Sequence, residues 1–515
     1  MHQWLSDLSQ RSLRFFNVKD KDSLTMQCLC MGVLMLMWLQ IIVAAIWAMF
    51  NMHVIVPYGD VCEYIRLAHT MILDMWRPIA YPLFVRFCIV SGHALGVPFY
   101  TLVYILQSII SLAAVYYLIR TLWVCFAGGV EPFRPLRGVS SHEPNHRFGC
   151  SLMPKLTIKN FLGTSERRKL LFLSLFAASN PLLMHFNFSC LTDSLCNSFS
   201  MLFAAEVLMI MRSSKLEWQH IIFGIVSFVL MCLLRAERLM LMGTIVFILS
   251  LTLVFVMKGP GKKRVIASIM MIIIIAVPVT NFIKSNTQTA NVGRLEPSVH
   301  TALYQRVGFH HFFDNYDYMP EHVTQNITRY DAFYNDASQL NTNTICAAIL
   351  QKDPENYNRI LDSVWITVLI HDSYRVVKDI FIDFVCNVFA PVTYNIVTLH
   401  TIATTGLTLE RMTYGTPDLA WFYMRVSEIT FWLFTVTFVF RMIRNKRFLK
   451  EYSLLWIGLF AFVIMQSVFY AGTSNYGFHI RYQLFNYSLQ IITFIFVFGV
   501  GTRRNRFLKE DSSMN

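Results

Sequence analysis

Charge is scarce in this chain. Asp, Glu, Lys and Arg make up 15% of its 515 residues, against 55% hydrophobic residues. A soluble chain of this length divides into several cores, each wrapped in charged surface, and there are too few charges here to wrap them. Also missing are a glycine-rich phosphate-binding loop, any Cys-x-x-Cys pair and any Cys/His spacing suited to a metal. Most of the 11 cysteines lie in or beside apolar runs, where they serve as small apolar residues. Only Cys62, Cys88, Cys346 and Cys386 fall outside these runs on the side opposite the basic loops, so two disulfides at most are conceivable. No internal repeat is evident, which counts against inverted-repeat transporters. The polar start of the chain leads straight into a full-length apolar run, so no cleavable signal peptide is expected.

What the chain does have is apolar runs of roughly twenty residues, the length of a helix that crosses hydrocarbon. Mean hydropathy is +0.47. The fold class expected is all-α, a polytopic membrane protein with ten spans: 29–50, 101–123, 170–188, 195–211, 219–234, 239–257, 265–282, 427–443, 453–471 and 484–501. Three regions follow: a module over 1–282 with its first loop at 51–100, a mostly polar segment at 283–424, and C-terminal spans over 425–515. The net charge of +13 is not a nucleic-acid signature, because Lys and Arg gather in alternate loops. Residues 1–21, 125–169, Arg212 with Lys215, 258–264, 444–450 and 503–509 all fall on one face, which the positive-inside rule makes cytoplasmic, with both termini.

The stretches "GDVCEY", "RPIAYPLF", "SCLTDSL", "LLRAERL" and "HIRYQL" then share the opposite face. Asp60 and Glu63 stand three apart on a short amphipathic helix whose apolar stripe is Val61, Tyr64, Ile65, Ala68, Ile72 and Met75. The plain reading is a capping pair, Asp60 as N-cap and Glu63 reaching back to it. The functional reading is a carboxylate partly shielded from water at a membrane interface, suited to general-base work. Pro78 and Pro82 bias Arg77 and Tyr81 towards extended backbone. Arg77 itself either reaches lipid headgroups or binds an anionic substrate.

An acidic residue after the first span, then an amphipathic helix, then Arg77-Pro-Ile-Ala-Tyr-Pro82 resembles the GT-C superfamily of membrane glycosyltransferases. That superfamily includes protein O-mannosyltransferases and the aminoarabinose transferase of lipid A. The resemblance covers the first six or seven spans. It implies Asp60 as the catalytic acid of the family, with Glu63 beside it, and Asp193 of "LTDSL" as a second acidic site residue. Arg235, Glu237 and Arg238 resemble an Arg-Pro-Glu stretch, with Ala236 where proline is common. His479, Arg481 and Tyr482 match an element that contacts lipid phosphate. Donor-phosphate binding is thus expected of Arg77, Arg235, Arg481, Tyr482 and His479. The plain alternatives are a helix cap for Asp193, a surface ion pair for Arg235 with Glu237, and headgroup contact for Arg481.

The expected activity is inverting transfer of a sugar from a polyprenyl-phosphate donor to a glycan or lipid-linked acceptor. It would take place on the non-cytoplasmic face of a bacterial inner membrane, or of the endoplasmic reticulum. The rivals are a polysaccharide polymerase or ligase, and a transporter or flippase of lipid-linked sugars. Transport calls for charges inside the spans, of which Glu206 is the clearest. No cofactor is required and no divalent metal is indicated: His310, His311 and Asp314 lie together, but adjacent histidines in an aromatic loop are rarely ligands. Asn187, Asn326 and Asn486 open N-x-Ser/Thr triplets of the kind that arise by chance. The long 283–424 segment is expected to cover the site, with an amphipathic stretch near 368–391 lying on the membrane.

Overall fold

The computed structural model describes residues 24–53, 55, 59–73, 77–127, 165–212, 217–235, 237–256, 261–287, 299–308, 311–329, 342–388, 453–473 and 480–500, with isolated positions between 429 and 443. Every regular element among them is helical. In chain order the main helices are α1 (Leu24–Asn51), α2 (Gly59–Thr70), α3 (Ala80–Leu95), α4 (Phe99–Ala127), α5 (Ser165–Ala178), α6 (Pro181–Asn187), α7 (Thr192–Arg212), α8 (Trp218–Leu234), α9 (Glu237–Val256) and α10 (Gly261–Thr287). After a polar segment come α11 (Thr342–Lys352), α12 (Tyr357–His371), α13 (Ser373–Val388), α14 (Ser453–Thr473) and α15 (Ile480–Val500).

Six of these contain a stretch long and apolar enough to cross a membrane: Cys30–Asn51, Phe99–Cys125, Thr192–Arg212, Glu237–Val256, Lys262–Thr287 and Leu455–Gly472. The protein is therefore a multi-pass membrane protein by helix length and composition. A seventh span is added if Arg167–Ala178 and Pro181–Asn187 count as one. Ala80–Leu95, Trp218–Leu234 and Leu484–Phe496 are shorter apolar helices. The expected fifth and tenth spans are among these shorter helices, and the expected eighth, 427–443, lies largely outside the described residues.

The third expected span, 170–188, is not continuous. Its two halves, α5 and α6, meet at 74°. Pro181 has no N–H to continue the α5 ladder, and Asn180 caps α6 by accepting from the Leu182 N–H at 3.0 Å. The Asn180 amide also donates to the Tyr487 hydroxyl at 2.6 Å, tying the break to α15. Gln40 of α1 donates to the Phe176 carbonyl at 3.2 Å and to Ser179 Oγ at 3.1 Å just before it.

The bundle is organised around α7, 83% of whose apolar window is buried inside the protein. It packs against α4, α8, α14 and α15. Alternation of Ser194, Ser198 and Ser200 with Met201, Phe203 and Ala204 lets neighbours approach closely; the Ser198 and Ser200 hydroxyls close back on helix carbonyls, and Ser194 donates to Asn187 Oδ1 of α6. A buried amide pin locks the site end of this bundle. Tyr81 donates to Gln107 Oε1 at 3.1 Å, and Gln107 Nε2 donates to the carbonyls of Asn187 and Ser189, both at 2.9 Å. Gln107→Leu strands three buried polar groups, so thermal unfolding of the purified protein is expected to show a loss of about 1–3 kcal/mol. A loss well below that means the pin contributes nothing.

Residues 299–388 carry a second core, with Tyr304, Phe312, Val323, Ile360, Leu361 and Val364 at its centre. It sits against the C-terminal half of α14: Arg306 Nε donates to the Ala471 carbonyl at 2.6 Å, while its Nη2 meets Asp383 of α13 at 2.5 Å. Burial raises the Asp383 carboxyl above its ordinary value against the pull of Arg306. The same half of α14 supplies Gln466 and Tyr470 to the charged end of the bundle described next, so this second core stands beside it.

Candidate functional site

α2 forms because Val61, Tyr64, Leu67 and Ala68 recur on one face and are buried together. It stops at Thr70, where Met71 turns into left-handed backbone with φ 54°. The helix begins at Gly59, so Asp60 sits in its first turn and is not the N-cap. Glu63 turns forward along the helix and accepts from Arg66 Nε at 2.9 Å and Nη2 at 2.6 Å. Both acids look towards Arg77, whose Nη2 lies 3.0 Å from Asp60 Oδ1 and whose Nη1 lies 3.9 Å from Glu63 Oε1. The Arg77 guanidinium also covers the Tyr64 ring at 5.5 Å.

The proline expectation of extended backbone fails at Tyr81. Arg77 is in a bend, but Tyr81 is helical, because α3 already begins at Ala80. Pro82 then falls in the first turn, where its missing N–H has no intrahelical acceptor to lose. Tyr81 is fully buried and meets Tyr64 edge-on, centroids 4.9 Å apart. At the far end of α3, Gly96 takes φ 65° and Gly92 lets the Val97 carbonyl approach to where a Cβ would meet it at 2.7 Å.

Tyr64 joins this half of the site to the next. Its hydroxyl is 3.5 Å from Thr192 Oγ1 at the start of α7. Burial raises the Tyr64 phenol above its ordinary value, against the hydrogen bond from Thr192 and the charges of Arg235 and Arg77, so the hydroxyl stays protonated. One residue on, Asp193 has a fully buried carboxylate held by Arg235 Nη1 at 2.5 Å. Arg235 is the C-cap of α8, with extended backbone that frees its side chain to point both ways. Its Nε takes Glu237 Oε1 at 2.6 Å in the first turn of α9. Arg238 follows, buried, with its Nη1 3.3 Å from Gln466 Oε1 and its guanidinium 5.9 Å from the centre of the Tyr470 ring.

Asp60, Glu63, Arg77, Asp193 and Arg235 therefore belong to one continuous set, linked through Tyr64 and Thr192. His479 lies outside the described residues. Arg481 and Tyr482 stand in the first turn of α15, with side chains outside them. Four participants were not singled out by sequence reasoning. Gln466 and Tyr470 carry no motif, Thr192 stands in "LTDSL" where Asp193 draws the attention, and Tyr64 belongs to the apolar stripe of α2, although a tyrosine on such a stripe has a polar tip that needs a partner.

Among the described residues no three His, Cys, Asp or Glu side chains are placed to hold a metal. His310 is outside them. His311 faces Asp379 at 3.1 Å, and Asp314 pairs with Arg375 at 2.9 Å. Cys62, Cys88 and Cys346 are free thiols, and burial pushes Cys346 up to about 12. The Cys386 side chain lies outside the described residues. Asn187 and Asn486 are buried within the bundle, which removes both triplets as surface sites.

Two acid–guanidinium pairs, Asp60 with Arg77 and Asp193 with Arg235, thus lie on either side of Tyr64 and Thr192. No protein-family model, curated protein or solved structure matches this chain.

Proposed function

We propose that this protein transfers a sugar from a polyprenyl-phosphate donor to a hydroxyl acceptor, a glycan or a lipid-linked molecule, with inversion at the anomeric carbon. In this reading the chain is a GT-C-like enzyme, and its site faces the periplasm of a bacterial inner membrane or, alternatively, the lumen of the endoplasmic reticulum. The observation that supports it most is the pairing of Asp60 with Arg77 across 17 residues, with the Asp60 side chain still 37% exposed. Asp193, by contrast, is sealed inside the protein. Asp60 is the acid a water-borne acceptor can meet, beside a bundle that a lipid-borne donor can reach.

The chemistry then runs as one displacement. The acceptor hydroxyl hydrogen-bonds to Asp60 and attacks the anomeric carbon. The bond from that carbon to the phosphate oxygen breaks, and the lipid phosphate leaves with the electron pair. Asp60 takes the hydroxyl proton, and a guanidinium offsets the charge growing on the phosphate. Glu63 and Asp193 hold Arg77 and Arg235 in place.

Purified protein in nanodiscs, offered a panel of polyprenyl-phosphate sugars with candidate acceptors, is expected to release free polyprenyl phosphate, read by mass spectrometry. Release from no donor with any acceptor would sink the transferase. The transport reading has its own observation. Glu206 is 2% exposed and accepts from Tyr117 at 2.5 Å, while His220 bridges it at 2.6 Å to Glu217 at 3.2 Å. Buried ionisable groups inside a bundle are the parts of proton-linked transport, and that reading predicts movement of the lipid-linked sugar with no bond broken.

A further inference from the structure

The second core meets the bundle through α13, and the two sides of that helix differ. Arg375, Asp379 and Asp383 recur every four residues along one side, and each has a partner in the second core: Asp314 at 2.9 Å, His311 at 3.1 Å and Arg306 at 2.5 Å. The opposite side carries Tyr374, Val377, Phe381 and Ile382, all exposed, Phe381 by 62%. What covers them follows from the depth of the helix. α13 runs antiparallel to α14: Arg306, the partner of Asp383, also donates to the Ala471 carbonyl, and one turn further on Asn387 donates to the Ser467 carbonyl at 3.4 Å. Ser467 lies inside the apolar span Leu455–Gly472. The Val388 carbonyl accepts from Gln490 Nε2 at 2.6 Å, ten residues or about 15 Å along α15 from Ile480. The last turn of α13 thus stands inside the end of the α14 span, level with hydrocarbon. Side-chain chemistry follows the same descent. Tyr374 and Lys378 come first, Phe381 and Ile382 next, and none of the residues from Phe384 to Val388 is charged. Lys378 is one turn, about 6 Å, above Ile382, which is close to the depth of a headgroup layer. Its side chain tilts towards the helix N-terminus, here away from the hydrocarbon, so its stem can cover lipid while the ammonium stays among headgroups.

We propose that α13 is a half-inserted helix whose last turns enter the leaflet at the Gly472 end of α14, with acyl chains against Phe381 and Ile382 and with Tyr374 at headgroup level. The 368–391 stretch, expected to lie along the membrane, thus descends into it at α13 and fixes the second core to the lipid beside the bundle. This holds whether or not the bundle transfers a sugar.

The test uses the full chain in phosphatidylcholine nanodiscs, with photoreactive p-benzoylphenylalanine placed at one position at a time and the captured species read by mass spectrometry. Phe247, exposed midway along α9, sets the signal for full lipid contact, and Glu355, exposed in the turn ahead of α12, sets the signal for none. Phe381→p-benzoylphenylalanine and Ile382→p-benzoylphenylalanine are each expected to capture phosphatidylcholine as readily as the Phe247 position does. Tyr374→p-benzoylphenylalanine, about 10 Å higher along the helix, is expected to capture severalfold less. Lipid capture at both Phe381 and Ile382 no greater than at Glu355 overturns the proposal. So does capture, in place of lipid, of a second copy of the chain or of residues 389–428 of the same chain. Equal lipid capture at Tyr374 and Phe381 means that the helix lies flat, and overturns the descent.

Discussion

Asp60→Asn is expected to slow release of polyprenyl phosphate by about 10²–10⁴-fold while donor binding is kept. The amide has the size of the carboxylate, and its oxygen can still accept from Arg77 Nη2, now at 3.0 Å from Asp60 Oδ1, so the bend at Arg77 and the helix start should survive. What the amide cannot do is take a proton from the acceptor hydroxyl. Glu63→Gln should cost less, because Glu63 is the more enclosed acid and is held by Arg66 as well as Arg77. Single-turnover release, with donor binding measured separately, tells the two effects apart. A rate for Asp60→Asn equal to wild type leaves Asp60 as an anchor for Arg77 and moves the search for a base elsewhere.

The membrane-protein class and most helix positions could be read directly, because hydrocarbon admits few backbone solutions and each leaves a long apolar run. α1, α4, α7, α9, α10 and α14 lie where their runs are. The α5–α6 break carried its signal in the open as Asn180-Pro181, yet hydropathy averaged over a window passes across one proline. The acids of the first loop could also be placed: period and spacing put Asp60 and Glu63 on one side of α2. Their partners could not. Arg77 reaches Asp60 from beyond the end of α2, and Arg235 reaches Asp193 across 42 residues, from a different helix. Such pairings are decided by how α3, α7 and α8 pack, and packing leaves no local pattern. The same holds for Tyr64, whose neighbours along the chain say only that it is buried and whose partner Thr192 is 128 residues away.

Arg235→Ala is expected to destabilise the protein by about 3–5 kcal/mol, the cost of leaving buried charge without its partner. Asp193 would lose the Arg235 guanidinium while its side chain is wholly enclosed, and Glu237 would lose the same partner at the same step. Removing both members of the first pair should cost less than removing the arginine alone. Asp193→Asn combined with Arg235→Gln keeps shape and hydrogen bonding without net buried charge, so its Tm is expected to recover a large part of the loss.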